Sequence, residues 1–237
     1  MDKISIIVPA HNEEQTIVPL LQAVRAATEA LSIAMFEVIV IDDGSKDTTR
    51  SLLLAAPELY DHLIVLDHQQ GKGGAVLKGL QRAAGDFVLF QDADLEYDPR
   101  DYAALIEPVI EHGAQVVIGS RFIAPRMTRV FYFWHKMGNR LITLVFNLLN
   151  NTTFTDIYSC YLLYQRSLVP VESIRTHSWE QHGEILSLAV GKAKVLYEVP
   201  VSYRGRSYAE GKKIRSSDIY RVFYVLILTR LRRVLDR

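Results

Sequence analysis

Two carboxylates stand one residue apart in the stretch FQDADLEYDP, where Asp92 and Asp94 follow the apolar run of residues 87–90. Carboxylate oxygens are ligands that Mg²⁺ and Mn²⁺ prefer, and Mg²⁺ is commonly held by one or two carboxylates together with substrate phosphates. The same residue types also favour solvated turns. The pair alone leaves two interpretations open, a metal site or a polar turn. The predicted strands and helices around the pair help to choose between them.

The chain around this pair alternates between apolar runs of strand length and stretches with helical periodicity. Helices are predicted at 14–31, 48–55, 73–84 and 101–112, between strands at 4–8, 36–41, 63–66, 87–90 and 115–119. This alternation predicts an α/β fold with a mostly parallel central sheet and helices on both faces. Ligands of such sheets bind beyond the carboxyl ends of the strands. The polar clusters PAHNEE, DDGSKD, DADLE and GSR fall at such ends, which favours the metal-site interpretation.

The sequence changes character after residue 120. Residues 121–149 are aromatic, basic and apolar and predict one or two amphipathic helices. The elements predicted after them are a strand at 158–164, a helix near 179–190, a strand at 194–199 and a helix from residue 219. The longest apolar stretches, 141–149 and 222–228, are too short to span a bilayer.

Charge separates the two halves of the 237-residue chain, which is 49% hydrophobic and has no net charge. Residues 1–120 hold 8 Lys and Arg against 19 Asp and Glu, a net charge of −11, while residues 121–237 hold 19 against 8, or +11. This asymmetry predicts that the second half faces something anionic. The single cysteine, Cys160, excludes an internal disulfide and fits a reducing compartment.

Taken in order, the motifs VPAHNEE, IDDGSKDTT, GKGGAVLKGL, AAGD, DADLE and GSRF resemble the family 2 glycosyltransferases. Within them the chain looks most like the polyprenyl-phosphate sugar transferases, which include dolichyl-phosphate mannosyltransferase. The resemblance implies an A-type glycosyltransferase fold, Rossmann-like, as a single domain over residues 1–237. Residues 1–120 would bind the nucleotide sugar, 121–217 would form the acceptor side and a closing loop, and 218–237 a C-terminal amphipathic helix.

The same resemblance implies which residues bind the nucleotide sugar. They are Pro9, His11, Glu13, Ile41, Asp43, Gly73, Asp92, Ala93, Asp94, Arg121, Arg206 and Lys212. Asp92 and Asp94 would hold Mg²⁺ or Mn²⁺, a Lewis acid for the departing diphosphate. Lys72, inside the glycine-rich turn, is expected to be a surface lysine.

Catalytic roles are implied for Asp92 and Asp94, for Glu184 as a helix acid facing the sugar, and for Arg206 and Lys212 in a loop that closes over the diphosphate. On the acceptor side we expect Arg121 and Asp156, which match positions of the family, and Arg126 and Arg129, which are basic residues of the aromatic stretch 121–149. The sequence also allows simpler interpretations, with Glu184 as an exposed helix acid and Asp156 as a helix cap.

The function implied is inverting transfer of a hexose from a nucleotide-diphosphate sugar, of the GDP-mannose or UDP-glucose type, to a polyprenyl phosphate. A phosphate monoester has a second pKa of about 6 and is largely ionised at neutral pH, so this acceptor needs no general base. A soluble or polysaccharide acceptor is the alternative, and it would need a base, for which Glu184 or Asp156 is the candidate. A non-catalytic nucleotide-binding protein is the third hypothesis, and the intact carboxylate pair argues against it.

We expect a cytoplasmic protein, peripheral at the cytoplasmic face of a membrane, with no nucleic-acid partner. A second copy of the chain or a membrane protein is a further candidate partner. The C-terminal helix places Val222, Val225, Leu226, Thr229 and Arg233 at helical spacing before an arginine-rich end. This stripe suits a helix at the membrane surface, and it equally suits a helix docked on the sheet.

Overall fold

The computed structural model describes residues 3–31, 34–123, 133–205 and 218–235, and a seven-stranded sheet runs through them. The strands are β1 (Lys3–Ala10), β2 (Met35–Asp42), β3 (His62–Val65), β4 (Phe87–Phe90), β5 (Val116–Ser120), β6 (Leu162–Gln165) and β7 (Leu196–Pro200). The strand predicted at 158–164 is therefore shorter and begins later. The residues just before it line the candidate site instead.

The sheet has the order β3-β2-β1-β4-β6-β5-β7. Every neighbouring pair is parallel except the two that involve β6, which runs antiparallel between β4 and β5. The central strands are rich in β-branched residues, and Ile6, Val40 and Val88 are fully buried. Strands buried on both faces are expected in a sheet covered by helices on either side. The predicted mostly parallel sheet is confirmed.

Helices connect these strands, as the periodicity predicted. They are α1 (Ile17–Ala30), α2 (Thr49–Ala55), α3 (Lys72–Arg82), α4 (Tyr102–His112), α5 (Phe133–Asn150), α6 (Gln181–Val190) and α7 (Asp218–Leu235). Helix α1 starts three residues later than predicted, because the amides of Thr16 and Ile17 both donate to the carbonyl of Glu13 and form a turn there.

Helices α5, α6 and α7 pack against one another after the main βα units. The stripe predicted on α7 lies inside this packing, because Val222, Leu226 and Thr229 are buried. Arg233 Nη1 donates to Asn150 Oδ1 and to the carbonyl of Ser187, both at 2.7 Å. This stripe therefore docks on the protein, and the membrane-facing interpretation of it is wrong.

The fold brings the ends of three parallel strands to one edge. Ala10 of β1 pairs in register with Asp42 of β2, and Ile7 of β1 pairs with Phe90 of β4. The segments that follow, 11–13, 43–46 and 91–94, therefore leave the sheet side by side, and they build the site described next.

Candidate active site

A cavity of about 390 Å³ opens at this edge of the sheet. Of the described residues named from the sequence, those that line it are Pro9, His11, Glu13, Asp43, Gly73, Asp92, Ala93, Asp94 and Arg121. Five separate sequence motifs thus converge in one place. Ile41, Asp156 and Glu184 are not among the described residues that line the cavity.

One end of the cavity is built on Asp43, which follows β2 and is 3% exposed. Its carboxylate accepts hydrogen bonds from the backbone amides of Gln70, at 2.7 Å, and Gly71, at 2.9 Å. Its carbonyl accepts one from Nδ1 of His11 at 2.8 Å. Asp43 therefore holds the loop after β1 and the glycine-rich turn before α3 at fixed positions on either side of it.

Ile41 was among the residues predicted to bind the nucleotide sugar, and the structure places its side chain in the core. Its side chain is fully buried, and a Cβ added to Gly79 of α3 would come within 2.8 Å of Ile41 Cδ1. Alternation along β2 explains this, because successive side chains point to opposite faces of a strand. Ile41 contributes to the core under α3.

The two central carboxylates sit on a turn with unusual backbone geometry. Asp94 Oδ1 accepts the amide of Glu96 at 3.1 Å, and the intervening Leu95 has a φ of +59°. A bulky residue with positive φ is strained, and such strain concentrates at functional sites. Beneath the turn, Oε1 of the buried Gln91 accepts hydrogen bonds from the hydroxyls of Tyr102 and Tyr161, which fixes the end of β4.

Lys72 is the residue of the site whose position differs most from the prediction. Its Nζ lies 2.5 Å from Oδ1 of Asp92 and 5.2 Å from the ring centroid of Trp179. The expectation of a surface lysine is therefore wrong: the side chain is 30% exposed and lines the cavity. The glycines on both sides of Lys72 were the available signal, because they let this turn approach its neighbours closely.

The Lys72–Asp92 pair governs the ionisation of its surroundings. Burial acts to raise the pKa of Asp92, but the charge and hydrogen bond of Lys72, together with the hydrogen bond from Cys160, outweigh burial, and the pKa is lowered. Burial and then the charge of Lys72 lower the pKa of His182 to about 4, so this imidazole is neutral at pH 7. Burial and then the charge of Asp92 raise the pKa of the Cys160 thiol well above its usual value. The sequence had singled out neither His182 nor Trp179.

Arg121 enters the cavity from the end of β5 and is held by Asp156. Asp156 is fully buried and accepts from Arg121 Nε at 2.6 Å, Nη2 at 2.7 Å and the backbone amide at 3.0 Å. Asn139 of α5 donates to the same carboxylate at 2.7 Å. Asp156 was predicted on the acceptor side, and within the described residues its contact with the cavity is made through Arg121.

Glu184 was predicted to face the sugar, but its carboxylate accepts hydrogen bonds from the chain just before α6. It is 1% exposed and accepts the amides of Arg175 and Thr176, at 3.1 and 2.9 Å, and the Thr176 hydroxyl at 2.6 Å. The exposed-acid interpretation is wrong as well. Glu184 fixes the chain before α6, the segment that carries Trp179 into the cavity.

Glu96 and Tyr203 join the carboxylate turn to the end of β7. The Tyr203 hydroxyl donates to Glu96 Oε2 at 2.6 Å, and the amide of Arg204 donates to the Glu96 carbonyl at 2.8 Å. Tyr203 also lies under the guanidinium of Arg121, at 5.1 Å from the ring centroid. Four predicted residues, Arg126, Arg129, Arg206 and Lys212, lie outside the described residues, as does most of the predicted closing loop.

The described part of the chain holds no group of three or more His, Cys, Asp or Glu side chains arranged for a metal ion. Asp92 and Asp94 still present carboxylate oxygens to one cavity, and a cationic ammonium already rests on Asp92. This donor set fits Mg²⁺ or Mn²⁺ if substrate phosphates and water complete the coordination. These two residues would hold the ion.

Comparison with known proteins agrees with this geometry. The model of the family described as "Glycosyl transferase family 2" matches residues 5–170. An undecaprenyl-phosphate 4-deoxy-4-formamido-L-arabinose transferase of Pseudomonas paraeruginosa is 32% identical over 216 residues, which are 90% of this chain and 60% of that protein. The chain thus spans about 60% of the length of this relative.

A second relative matches almost end to end. The UDP-N-acetylglucosamine–dolichyl-phosphate N-acetylglucosaminyltransferase of Methanococcus voltae is 28% identical over 98% of each chain. Among solved structures, glucosyl-3-phosphoglycerate synthase from Mycobacterium tuberculosis superposes with a TM-score of 0.68 and 21% identity, covering 96% of this chain and 80% of that one. That synthase has been crystallised with Mn²⁺ or Mg²⁺ and uridine diphosphate. The likeness confirms the predicted A-type glycosyltransferase fold.

Proposed function

The chain belongs to glycosyl transferase family 2, and from this premise we propose that it transfers a hexose from a nucleotide-diphosphate sugar to a polyprenyl phosphate. The relatives described above are named for undecaprenyl phosphate and dolichyl phosphate acceptors. The donor is of the GDP-mannose or UDP-glucose type, and the name of the Methanococcus voltae relative adds UDP-N-acetylglucosamine as a third donor to test.

The main support for this proposal is the environment of the two candidate bases, Glu184 and Asp156. A hydroxyl acceptor would need a carboxylate free to take its proton, and Glu184 and Asp156 were the candidates. Both are buried and accept several hydrogen bonds from the protein, and neither is among the described residues that line the cavity. A phosphate acceptor is already ionised and needs no such group. Because both carboxylates already accept hydrogen bonds from the protein, they favour a phosphate acceptor over a hydroxyl acceptor.

The roles of the remaining residues follow from their places. His11, Glu13 and Asp43 would bind the base and ribose, and Asp92 and Asp94 the diphosphate through a divalent cation. The cation would supply Lewis-acid stabilisation of the departing diphosphate. Arg121, fixed by Asp156, would orient the anionic acceptor so that its oxygen attacks the sugar opposite the leaving group, which inverts the configuration.

Six further side chains complete this assignment. Tyr203 and the imidazole of His182 line the same cavity; Nε2 of His182 is buried with no hydrogen-bond partner among the described residues and would contact the sugar. Arg126 and Arg129 are assigned to the acceptor because they lie in the basic, aromatic stretch 121–149, and Arg206 and Lys212 are assigned to the diphosphate from the family resemblance. Preorganised cations at a developing charge are an effective source of catalysis.

The surface of α5 and α7 supports action at a membrane. Each helix exposes an apolar stripe at helical spacing, made of Phe133, Trp134, Met137, Leu141, Leu144 and Leu148 on α5 and of Tyr220, Tyr224, Ile227, Leu231 and Val234 on α7. Residues 133–150 and 219–235 contain six Lys and Arg and no Asp or Glu. An apolar face beside basic residues fits an anionic lipid surface. None of the described helices has the length and hydropathy needed to cross a bilayer.

A donor screen followed by a transfer assay tests the proposal. Thermal shifts with GDP, UDP and their sugars in the presence of Mn²⁺ identify the donor, because only a bound ligand stabilises the fold by mass action. The radiolabelled sugar is then offered to undecaprenyl or dolichyl phosphate, and label should enter the organic phase. Asp94→Asn is the inactive control.

The alternatives predict other results in the same assay. Label that moves only to a water-soluble acceptor would replace the lipid acceptor with a soluble one. Neither transfer nor donor hydrolysis with any nucleotide sugar would leave a binding protein without catalysis and overturn the proposal.

A further inference from the structure

Lys72 is fixed in place from both sides of its turn. The preceding Gly71 has a φ of +84°, and its amide donates to the Asp43 carboxylate at 2.9 Å. On the other side, a Cβ added to Gly73 would come within 2.3 Å of the carbonyl carbon of His177. The backbone of Lys72 therefore has little freedom, and its side chain enters the cavity at a defined point.

The ammonium lies against the carboxylate that would hold the metal ion. It lies 2.5 Å from Asp92 Oδ1, and Asp94 lines the same cavity. The ring of Trp179, at 5.2 Å, borders it on another side. Lys72 thus neutralises the same carboxylate that is assigned to the divalent cation.

We propose that Lys72 makes divalent-metal binding at Asp92 conditional on the diphosphate of the donor. The inference rests on the proposed function, because it concerns the same site. A metal ion held by Asp92 would share this carboxylate with the ammonium, and two cations that close in a cavity of low effective dielectric would repel each other. The metal alone therefore binds weakly.

The diphosphate removes this conflict. It brings negative charge to the cavity and gives the ammonium another anion to pair with. Lys72 then pairs with the diphosphate, and the carboxylate of Asp92 becomes available to the metal. Metal and diphosphate then each raise the affinity of the other, and this coupling is reciprocal. The metal is loaded together with the donor, and Lys72 adds positive charge to the leaving group.

Two titrations of the whole chain at pH 8 test the inference. Mn²⁺ binding without nucleotide is followed by the loss of the free-ion signal in electron paramagnetic resonance. Inorganic pyrophosphate binding without metal is followed by calorimetry in the presence of EDTA. Lys72→Met should bind Mn²⁺ at least tenfold more tightly and pyrophosphate at least tenfold more weakly than the natural chain. Lys78→Met, on the same helix and outside the cavity lining, should change neither.

The opposite signs distinguish this role from a structural one. A lysine that only holds the cavity together would weaken both ligands or neither when replaced, and either result would overturn the inference. Lys72→Arg keeps the charge and should behave like the natural chain. If Lys72→Met does not fold, Lys72→Gln replaces it, with the same expected shifts.

Failure of the proposed function has its own signature. In that case the natural chain and Asp94→Asn would bind Mn²⁺ with pyrophosphate equally poorly, and both proposals would fall. If the natural chain binds both ligands and Lys72→Met binds each as the natural chain does, only the role of Lys72 is lost.

Discussion

Replacing Asp156 by Asn distinguishes an anchor for Arg121 from a general base. The substitution keeps the shape of the side chain but removes its charge and turns one acceptor oxygen into a donor. That donor would face the guanidinium of Arg121, which now donates to both carboxylate oxygens at 2.6 and 2.7 Å. The buried guanidinium would lose its counter-ion and one of its hydrogen bonds.

The structure sets the size of the expected loss. Breaking a buried ion pair by removing one partner costs about 3–5 kcal/mol. Asp156 is fully buried, while the side chain of Arg121 is 14% exposed, which places the loss near the lower end, at about 3 kcal/mol. For a domain of this size that corresponds to a fall in Tm of about 6–12 °C.

The pH dependence of this loss has a defined sign. Burial acts to raise the pKa of Asp156, but the charge and hydrogen bonds of Arg121, together with the hydrogen bond from Asn139, outweigh burial and lower the pKa below its ordinary value. Stability from such a group is fully present above the unfolded pKa of about 4 and is lost as the pH falls through the lower folded pKa. The difference in unfolding free energy between the natural chain and Asp156→Asn should be constant from about pH 5 to 8 and shrink below about pH 4.

Urea denaturation and steady-state kinetics measure both effects. We expect a large stability loss, a lower kcat/KM and an unchanged shape of the pH–rate profile. Glu29→Gln, which breaks the exposed Arg25–Glu29 pair, is the control and should cost less than about 0.5 kcal/mol. If Asp156→Asn keeps its stability within about 1 kcal/mol of the natural chain and loses the acidic limb of its pH–rate profile, Asp156 is a base and the reasoning is refuted.

Three further predictions follow. Asp94→Asn should abolish Mn²⁺-dependent nucleotide binding and leave the Tm of the metal-free protein nearly unchanged, as scanning fluorimetry with and without Mn²⁺ would show. Glu184→Gln should cost about 1–3 kcal/mol of unfolding free energy, because it weakens buried hydrogen bonds, and retain kcat per folded molecule; urea denaturation beside initial rates checks this. Trp134→Glu and Leu231→Glu should reduce co-sedimentation with anionic vesicles, whereas Leu54→Glu on α2 should not; equal binding by all three would exclude α5 and α7 as the contact surface.

The sequence predicted the order of strands and helices well, because buried parallel strands are continuous apolar runs and helices keep their period. It also placed Asp43, Asp92 and Asp94 correctly, since residues after parallel strands must emerge at one edge. These predictions depend on local pattern and on a general rule of sheet topology. Neither requires knowledge of which side chains touch.

The errors concern residues whose role depends on a distant partner. Lys72 resembles any surface lysine until α3 is packed beside Asp92, which lies 20 residues further along the chain. Glu184 resembles a free helix acid until the turn at Arg175 and Thr176 folds back onto it. In each case a long-range contact decides whether the charge is available, and the spacing of residues does not contain that information.

The second half of the chain, residues 121–237, is basic, and two of its few acidic side chains are buried. It has only eight Asp and Glu against nineteen Lys and Arg, and two of those acids, Asp156 and Glu184, are buried in contacts with the protein itself. The charge that the described residues of this half bring to the cavity is the cation of Arg121, beside uncharged side chains such as Trp179 and Tyr203. The surface that α5 and α7 present to solvent is apolar and basic. We therefore propose a lipid phosphate rather than a sugar hydroxyl as the acceptor, because such an acceptor needs positive charge and no base.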